Sequence, residues 1–205
     1  MDESLSFGLD GKKKQNTGLT PSQVLVLGFA AAILFGTLLL SLPWAAVQGR
    51  ETNFLDALFT ATSAVCVTGL VVVDTGTYWS VFGKTVILFL IQVGGLGFMT
   101  FATMVFIALG KKINLRERLI IQEQQNQLTL QGVVRLTKYI VLAAIAIEGI
   151  GAFLLSIRFI PQHGMARGIA YGAFHSVSAF CISGFDIIGG YNSLTSFVDD
   201  PLVNG

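Results

Sequence analysis

The sequence contains stretches of uncharged, apolar residues that are long enough to cross a lipid bilayer. The first runs from Val24 to Leu42 without a charged residue. At the helical rise of 1.5 Å per residue, it reaches about 28 Å, close to the roughly 30 Å of a hydrocarbon core. Trp44 follows directly, and its indole ring suits the membrane interface. We therefore predict an uncleaved membrane-spanning helix over residues 22–44, after a polar tail at residues 1–20.

Two further apolar runs predict two more spanning helices, at residues 84–109 and 138–160. The third of these spans carries Glu148 near its middle, where an ionisable side chain suggests a functional role. A polar, Gln-rich connector at residues 111–137 separates the second and third spans. Two interpretations of the connector stay open: a solvated cytoplasmic link, or a docking surface for a cytosolic partner.

The composition excludes a soluble globular protein. Only 12% of the residues are charged and 53% are hydrophobic, whereas soluble domains carry about 25% charged residues. The formal net charge of +1 gives no reason to expect a nucleic-acid partner. Two cysteines, Cys66 and Cys181, are too few and too far apart to indicate a disulfide framework or a zinc site. The partner that the composition does indicate is membrane lipid.

Two apolar stretches, residues 53–66 and 168–181, are too short to cross a membrane, and each closely follows a span. Runs of about a dozen residues are typical of re-entrant segments or buried helices. Asn53 is a suitable N-cap for the first of them. Each stretch then breaks at a hydroxyl residue followed by glycine. We interpret both as half-helices that enter the membrane and stop partway.

The distribution of basic residues predicts the orientation. With a cytoplasmic N-terminus, nine Lys and Arg residues lie inside and four lie outside, in agreement with the positive-inside rule. The inner set is Lys12, Lys13, Lys14, Lys111, Lys112, Arg116, Arg118, Arg135 and Lys138; the outer set is Arg50, Lys84, Arg158 and Arg167. Both half-helices therefore enter from the outer face.

An internal repeat links the two half-helices. The pattern F-x-x-x-S-A-x-C-[VI]-[ST]-G occurs from Phe59 to Gly69 and again from Phe174 to Gly184, at an offset of 115 residues. Irregular backbone at membrane depth is tolerated only where it lines a water-filled cavity or is buried in protein. A turn that contains a glycine can direct backbone carbonyls at an alkali cation and replace its hydration shell.

The motifs at residues 66–70 and 181–185, together with Gly94-Gly95-Leu96-Gly97, resemble the Trk/Ktr/HKT superfamily of potassium transporters, and within it the bacterial membrane subunits of the Ktr branch. The resemblance implies an all-α membrane protein. Its repeated units, each a helix, a re-entrant pore helix, a filter loop and a helix, would surround a pseudo-fourfold pore. The chain would hold one full unit at residues 21–110 and most of a second at 138–205.

The resemblance also implies a set of potassium-binding filter residues: Val67, Thr68, Gly69 and Leu70 in the first loop, and Ile182, Ser183, Gly184 and Phe185 in the second. It implies potassium as the transported ion, coupled sodium as an option, and no cofactor. The implied partners are a second copy of the protein and a cytosolic, nucleotide-binding regulatory subunit of the RCK type (KtrA-like). In plant relatives a serine at the first filter glycine accompanies sodium transport, so Gly69 favours potassium.

The roles of several other polar residues and glycines can be interpreted from their positions. Glu148 either pairs with a neighbouring helix or contributes to cation binding, and Asp186 either concentrates cations at the outer mouth or is a solvated loop charge. His175 is expected to pack or to form a hydrogen bond rather than to carry protons. The two cysteines are expected to be packed small residues. Gly94, Gly95 and Gly97 suit close helix packing, with a gating hinge as the alternative.

Two further repeats and a closing helix of the family lie beyond these 205 residues, so we expect the chain to be part of a longer protein. One rival function is a non-conducting membrane subunit or scaffold that needs further repeats or partners. The other rival is an intramembrane enzyme that uses His175, Glu148 or a cysteine, although no base follows either cysteine closely.

Overall fold

A computed structural model describes residues 21–49, 51–97, 100, 103, 119–122, 133–191, 193–200 and 203. Within these ranges the regular structure is helical, apart from one isolated β-bridge between Ala46 and Trp79. The helices are α1 (Pro21–Leu40), α2 (Phe54–Val65), α3 (Thr75–Tyr78), α4 (Val81–Leu96), α5 (Val133–His163) and α6 (Met165–Phe180), with 3-10 turns at Val47–Gly49 and Thr195–Phe197. The helical content agrees with the predicted all-α class.

Among the described residues, two helices are long and apolar enough to cross a membrane, over Ser22–Leu40 and Val134–His163. Large apolar side chains project outward from both of them. Leu38 on α1 and Ile150 and Phe153 on α5 are 62–66% exposed. Apolar area in contact with water is unfavourable by about 25 cal/mol per Å². These faces therefore require lipid or further protein against them.

Several helix ends differ from the predicted bounds. Helix α1 ends at Leu40, before the predicted end of the span at residue 44. The residue before a proline is disfavoured in the α conformation, and Pro43 therefore brings the helix to an early end. Helix α5 begins at Val133, inside the predicted connector, and continues to His163. Its charged residues near the start do not stop the helix because long basic side chains can extend from an apolar surface into water.

The remaining differences concern α4 and α6. Helix α6 begins at Met165, three residues before the predicted pore helix, directly after Gly164. Helix α4 begins at Val81 and is described as far as Leu96. The rest of the second predicted span, most of the connector and the whole N-terminal tail lie outside the described residues.

The first half of the chain packs α1, α2 and α4 around one core. Asn53 caps α2, because its side-chain oxygen accepts the N–H of Leu55 at 3.1 Å. Ala57, Ala61 and Ala64 lie on one face of α2 and are completely buried. Such small side chains allow helices to approach closely within a membrane. This packing holds the C-terminal end of α2 inside the cluster.

The second half consists mainly of α6 folded back along α5. Gly164 makes the reversal with a φ of +80°, a conformation that glycine adopts readily. A Cβ atom at Gly168 would lie 2.6 Å from Ile160 Cα, and one at Gly172 would lie 2.7 Å from the Ala152 carbonyl oxygen. The two helices are therefore in backbone contact, and α6 also packs against α4 of the first half.

Candidate functional site

Two loops with nearly the same backbone conformation follow the two short helices. The C-cap residues Cys66 and Cys181 have φ values of −83° and −78°. The next residues, Val67 and Ile182, have φ values of +57° and +56°, a conformation that β-branched residues rarely adopt. The glycines two positions further on both have a φ of +71°. At these three positions the sequence repeat is matched by a repeat in the backbone conformation.

Equivalent hydrogen bonds hold both loops in this conformation. The N–H of Thr68 donates to the Ser63 carbonyl at 3.0 Å, and the N–H of Ser183 donates to the Ser178 carbonyl at 2.8 Å. The hydroxyls of the same residues also pair, at 2.9 Å between Ser63 and Thr68 and 2.8 Å between Ser178 and Ser183. These bonds offset the strain of the preceding positive-φ residue.

Sequence reasoning missed the role of Ser63 and Ser178. Both residues are the serine that occurs in each copy of the repeated pattern, and this recurrence could have indicated their role. In the second loop Ser178 makes an additional bond, because its hydroxyl donates to the Phe185 carbonyl at 2.6 Å. Phe185 itself is 2% exposed. Its carbonyl, one of those assigned to the filter, therefore already has a donor.

The backbone carbonyls at the centre of both loops have no hydrogen-bond donor among the described residues. This holds for residues 67–69 and for residues 182–184. Thr68, Ile182 and Gly184 are exposed rather than buried. The two equivalent sets of three carbonyls are therefore open to another group that could take their oxygens as ligands.

The two loops touch each other through their glycines. A Cβ atom at Gly69 would collide with the Ser183 carbonyl oxygen and lie 3.1 Å from Gly184 Cα. A Cβ atom at Gly184 would lie 3.5 Å from Gly69 Cα, which is ordinary contact. Gly69 is therefore enclosed by the second loop, while Gly184 has space. Elsewhere in the two loops, Thr68 of the first is exposed, and Ile182 of the second is 85% exposed.

Gly94 and Gly95 of α4 lie against the ends of both short helices. A Cβ atom at Gly94 would lie 2.8 Å from the Val65 carbonyl carbon, and one at Gly95 would lie 2.7 Å from Cys181 Cβ. The structure therefore has the close helix packing that the sequence predicts for these two glycines. Gly97 differs: with a φ of +80° it ends the described helix rather than packing inside it.

Glu148 joins three helices beside the second loop. Gln92 of α4 donates from Nε2 to both carboxylate oxygens of Glu148, at 2.9 and 3.1 Å. The hydroxyl of Ser176 on α6 donates to the Glu148 backbone carbonyl at 2.7 Å. Of the two interpretations of Glu148, pairing with a neighbouring helix is therefore observed. Gln92 was not identified from the sequence.

The other titratable candidates form hydrogen bonds or packing contacts with neighbouring parts of the protein. His175 is 3% exposed, and its Nδ1 lies 2.7 Å from the Tyr171 carbonyl oxygen, so Nδ1 is the protonated nitrogen. Its ring packs against Phe159 with centroids 5.5 Å apart. Asp186 accepts the N–H of Ile188 at 3.1 Å and so faces its own loop. Within the described ranges no group of His, Cys, Asp and Glu could hold a metal ion.

Helices long enough to span a membrane, together with short helices that end at loops with donor-free carbonyls, are typical of membrane cation-transport proteins. The TrkH family, described as a cation transport protein, matches residues 3–204. The chain therefore belongs to the TrkH family of cation transport proteins. Membership of a transporter family argues against the intramembrane-enzyme alternative.

Relatives within the family carry potassium-related names. The chain is 51% identical over 185 residues to the Ktr system potassium uptake protein B of Bacillus subtilis, covering 90% of this chain and 41% of that protein. It is 46% identical to the potassium/sodium uptake protein NtpJ of Enterococcus hirae, with coverages of 87% and 40%. It is 40% identical to the Ktr protein B of Vibrio alginolyticus, with coverages of 95% and 42%.

The predicted resemblance to the Ktr-type membrane subunit is confirmed by these matches. The chain spans about two-fifths of the length of these relatives. The similarity is consistent with the N-terminal part of a Ktr protein B.

Proposed function

We propose that residues 66–70 and 181–185 are two segments of a potassium-selective filter, in which backbone carbonyls replace the hydration shell of the ion. The observation that carries this proposal is the pair of donor-free carbonyl sets at residues 67–69 and 182–184. Rings of such carbonyls are the ligands by which selective channels bind alkali cations. Adjacent segments of one ring of carbonyl ligands must be equivalent and must contact each other, and these two sets of carbonyls meet both conditions.

The helices support the same proposal electrostatically. Helices α2 and α6 both end at a loop, so the partial negative charge of each helix C-terminus lies beside the carbonyls. Neither loop needs a carboxylate to attract a cation. We therefore assign the pore-helix role to α2 and α6.

The open sides of the loops favour further segments around the same axis. Thr68 is exposed, whereas its counterpart Ser183 is 1% exposed because the first loop lies beside it. Two additional units of the same kind would cover the exposed sides and close a pseudo-fourfold ring. The outward apolar faces of α1 and α5 would then contact lipid and these units.

For the whole protein, we propose potassium uptake across the cell membrane as the membrane subunit of a Ktr-type system, with a cytoplasmic N-terminus. A homodimer on a cytosolic, nucleotide-binding regulatory subunit of the RCK type is the proposed assembly. Sodium coupling is part of the proposal because one relative is named a potassium/sodium uptake protein. Glycine at the position of Gly69 supports potassium as the principal ion.

The proposal is tested by rubidium uptake into potassium-starved cells that express the native gene or its Gly184→Ser form at equal membrane levels. Because Gly184 has room for a Cβ but a φ of +71°, we expect the variant to insert and to lose selectivity for rubidium over sodium. Unchanged selectivity would contradict the filter assignment. No uptake by well-inserted native protein would favour the non-conducting subunit.

Ser178→Ala tests the hydroxyl contacts of the second loop. The change leaves both Ser183 Oγ and the Phe185 carbonyl without their partner, at 2.8 and 2.6 Å in the native loop. Loss of two buried hydrogen bonds is expected to destabilise the loop by about 1–3 kcal/mol. We expect reduced selectivity in the same uptake assay, with Ser178→Thr, which keeps the hydroxyl, close to the native value. Equal selectivity of all three proteins would show that the hydroxyl does not position the loop.

A further inference from the structure

A cavity of about 520 Å³ opens between the beginning of α4 and α6, and Ile187, two residues after the second loop, also lines it. This volume lies within the range of about 300–1,000 Å³ that is usual for small-molecule sites. Both helices start on the side that we place outside the membrane. The cavity is therefore at the level of the outer interface, and this placement rests on the proposed function.

The polar groups of the cavity include a set of donors that lacks an anionic partner within it. Lys84 donates to the Gly76 carbonyl at 2.6 Å, which uses one of the three N–H bonds of its ammonium group. Arg167 is exposed and forms no hydrogen bond or ion pair with a described residue. Asp74, which does not line the cavity, attracts the Lys84 ammonium, and Arg167 repels it more weakly. Among the described residues, no acidic side chain lines the cavity.

Trp79 provides an independent indication of a missing acceptor. It lines the same cavity, is 1% exposed, and its indole Nε1–H is buried without a partner among the described residues. A buried donor without an acceptor is unfavourable by about 1–3 kcal/mol. An anion with several oxygens would satisfy the ammonium and the guanidinium groups together, and a small shift of the buried indole would bring its N–H to the same anion.

Most of the remaining lining is apolar, although Ser80, Thr85 and Tyr171 also contribute polar groups to it. Leu88, Phe174 and Ala170 form the wall next to the cations, and Val81 at the rim is 83% exposed. A ligand that fits both parts combines an anionic head with a hydrocarbon tail. A free anion would leave the apolar wall uncovered, and a neutral lipid would leave the positive charges without compensation.

We propose that this cavity binds the phosphate headgroup of an anionic phospholipid of the outer leaflet, with an acyl chain along the apolar wall. Arg167 would hold the phosphate through two parallel N–H bonds, as guanidinium groups commonly do. Lys84 would add a second positive charge, because its Gly76 contact leaves donors available. The bound lipid would join the start of α4 to α6, and so connect the two halves of the chain.

The test measures how phosphatidylglycerol, phosphatidylcholine and inorganic phosphate stabilise the delipidated native protein in detergent. Phosphatidylglycerol is expected to raise the thermal unfolding midpoint, and phosphatidylcholine is not, because only a ligand of the folded state stabilises it. For Arg167→Gln we expect the half-saturating phosphatidylglycerol concentration to rise about tenfold. Arg167 has no hydrogen bond or ion pair with a described residue to lose, so this variant should fold normally.

Lys138→Gln is the matched control, since it removes the same charge from an exposed position on the opposite side of the membrane. It is expected to leave the lipid response unchanged. Equal responses of the native and Arg167→Gln proteins, or equal effects of the two lipids, would overturn the proposal. Full stabilisation by inorganic phosphate alone would overturn the lipid assignment in favour of a free-anion site. Because lipid binding is the readout, a negative result here is distinct from failure of the Gly184→Ser selectivity test.

Discussion

Replacing Gly69 by alanine is expected to abolish rubidium uptake, whereas alanine at Gly184 should leave a measurable fraction. Both positions have a φ of +71°, which is unfavourable for an L residue by roughly 1–2 kcal/mol. At Gly69 the new Cβ would also collide with the Ser183 carbonyl oxygen, whereas at Gly184 its nearest contact is 3.5 Å. Relief of the collision requires separation of the two loops. We expect uptake by Gly69→Ala to be about tenfold or more below that of Gly184→Ala, which corresponds to ~1.4 kcal/mol.

The comparison of these two variants contains its own control. They are the same substitution, in equivalent loops, with the same backbone strain. A difference between them therefore reports only the contact between the first and second loops. If Gly184→Ala were the more damaging variant, or if the two were equal, the observed contact between the loops would not govern the filter.

Replacing Gly94 by alanine is expected to destabilise the protein and to reduce uptake. The added Cβ would lie 2.8 Å from the Val65 carbonyl carbon and 3.1 Å from its Cα, and backbone cannot rotate away as a side chain can. Overpacking of this kind costs about 1–3 kcal/mol, and occasionally more. The displaced segment is the end of α2, which carries the first loop. Thermal unfolding in detergent and rubidium uptake should therefore decline together.

Gly149→Ala is the matched control for Gly94→Ala. Gly149 also lies inside a helix, but a Cβ there would have no atom within 4 Å. Alanine is the better helix former by about 1 kcal/mol, so this variant is expected to be at least as stable as the native protein. Native stability and uptake in Gly94→Ala would show that α4 does not support the first loop.

Much of the helical layout could be predicted from the sequence, because apolar stretches and caps act locally. Asn53 caps α2 as predicted, and the all-α class follows from the apolar runs. Helix ends were less predictable. The start of α5 at Val133 and the end of α1 at Leu40 depend on how charged and proline residues are placed at an interface, and hydropathy does not report this.

The positions of the two loops of the candidate site could be predicted from the sequence, but the contacts that the loops make could not. The repeated pattern identified Gly69 and Gly184 because identical residues recurred at one offset. The Gln92–Glu148 pair could not be identified, since the two residues are 56 positions apart and belong to different helices. Ser178 could have been identified from the sequence because it belongs to the repeated pattern. Its bond to Phe185 depends on the turn geometry that the pattern only implies.

The contact between Gly69 and Ser183 has a consequence for how the protein is synthesised. Residues so far apart in sequence can meet only after the second segment has left the ribosome. The equivalent residues of the two loops are 115 positions apart, so at about 5–20 residues per second the interval between them is on the order of 6–23 seconds. During that time the first loop has its own serine contacts and no neighbour. Its carbonyls are then solvated from one side, and the proposed ion-binding geometry is completed only when the later half of the chain inserts beside it.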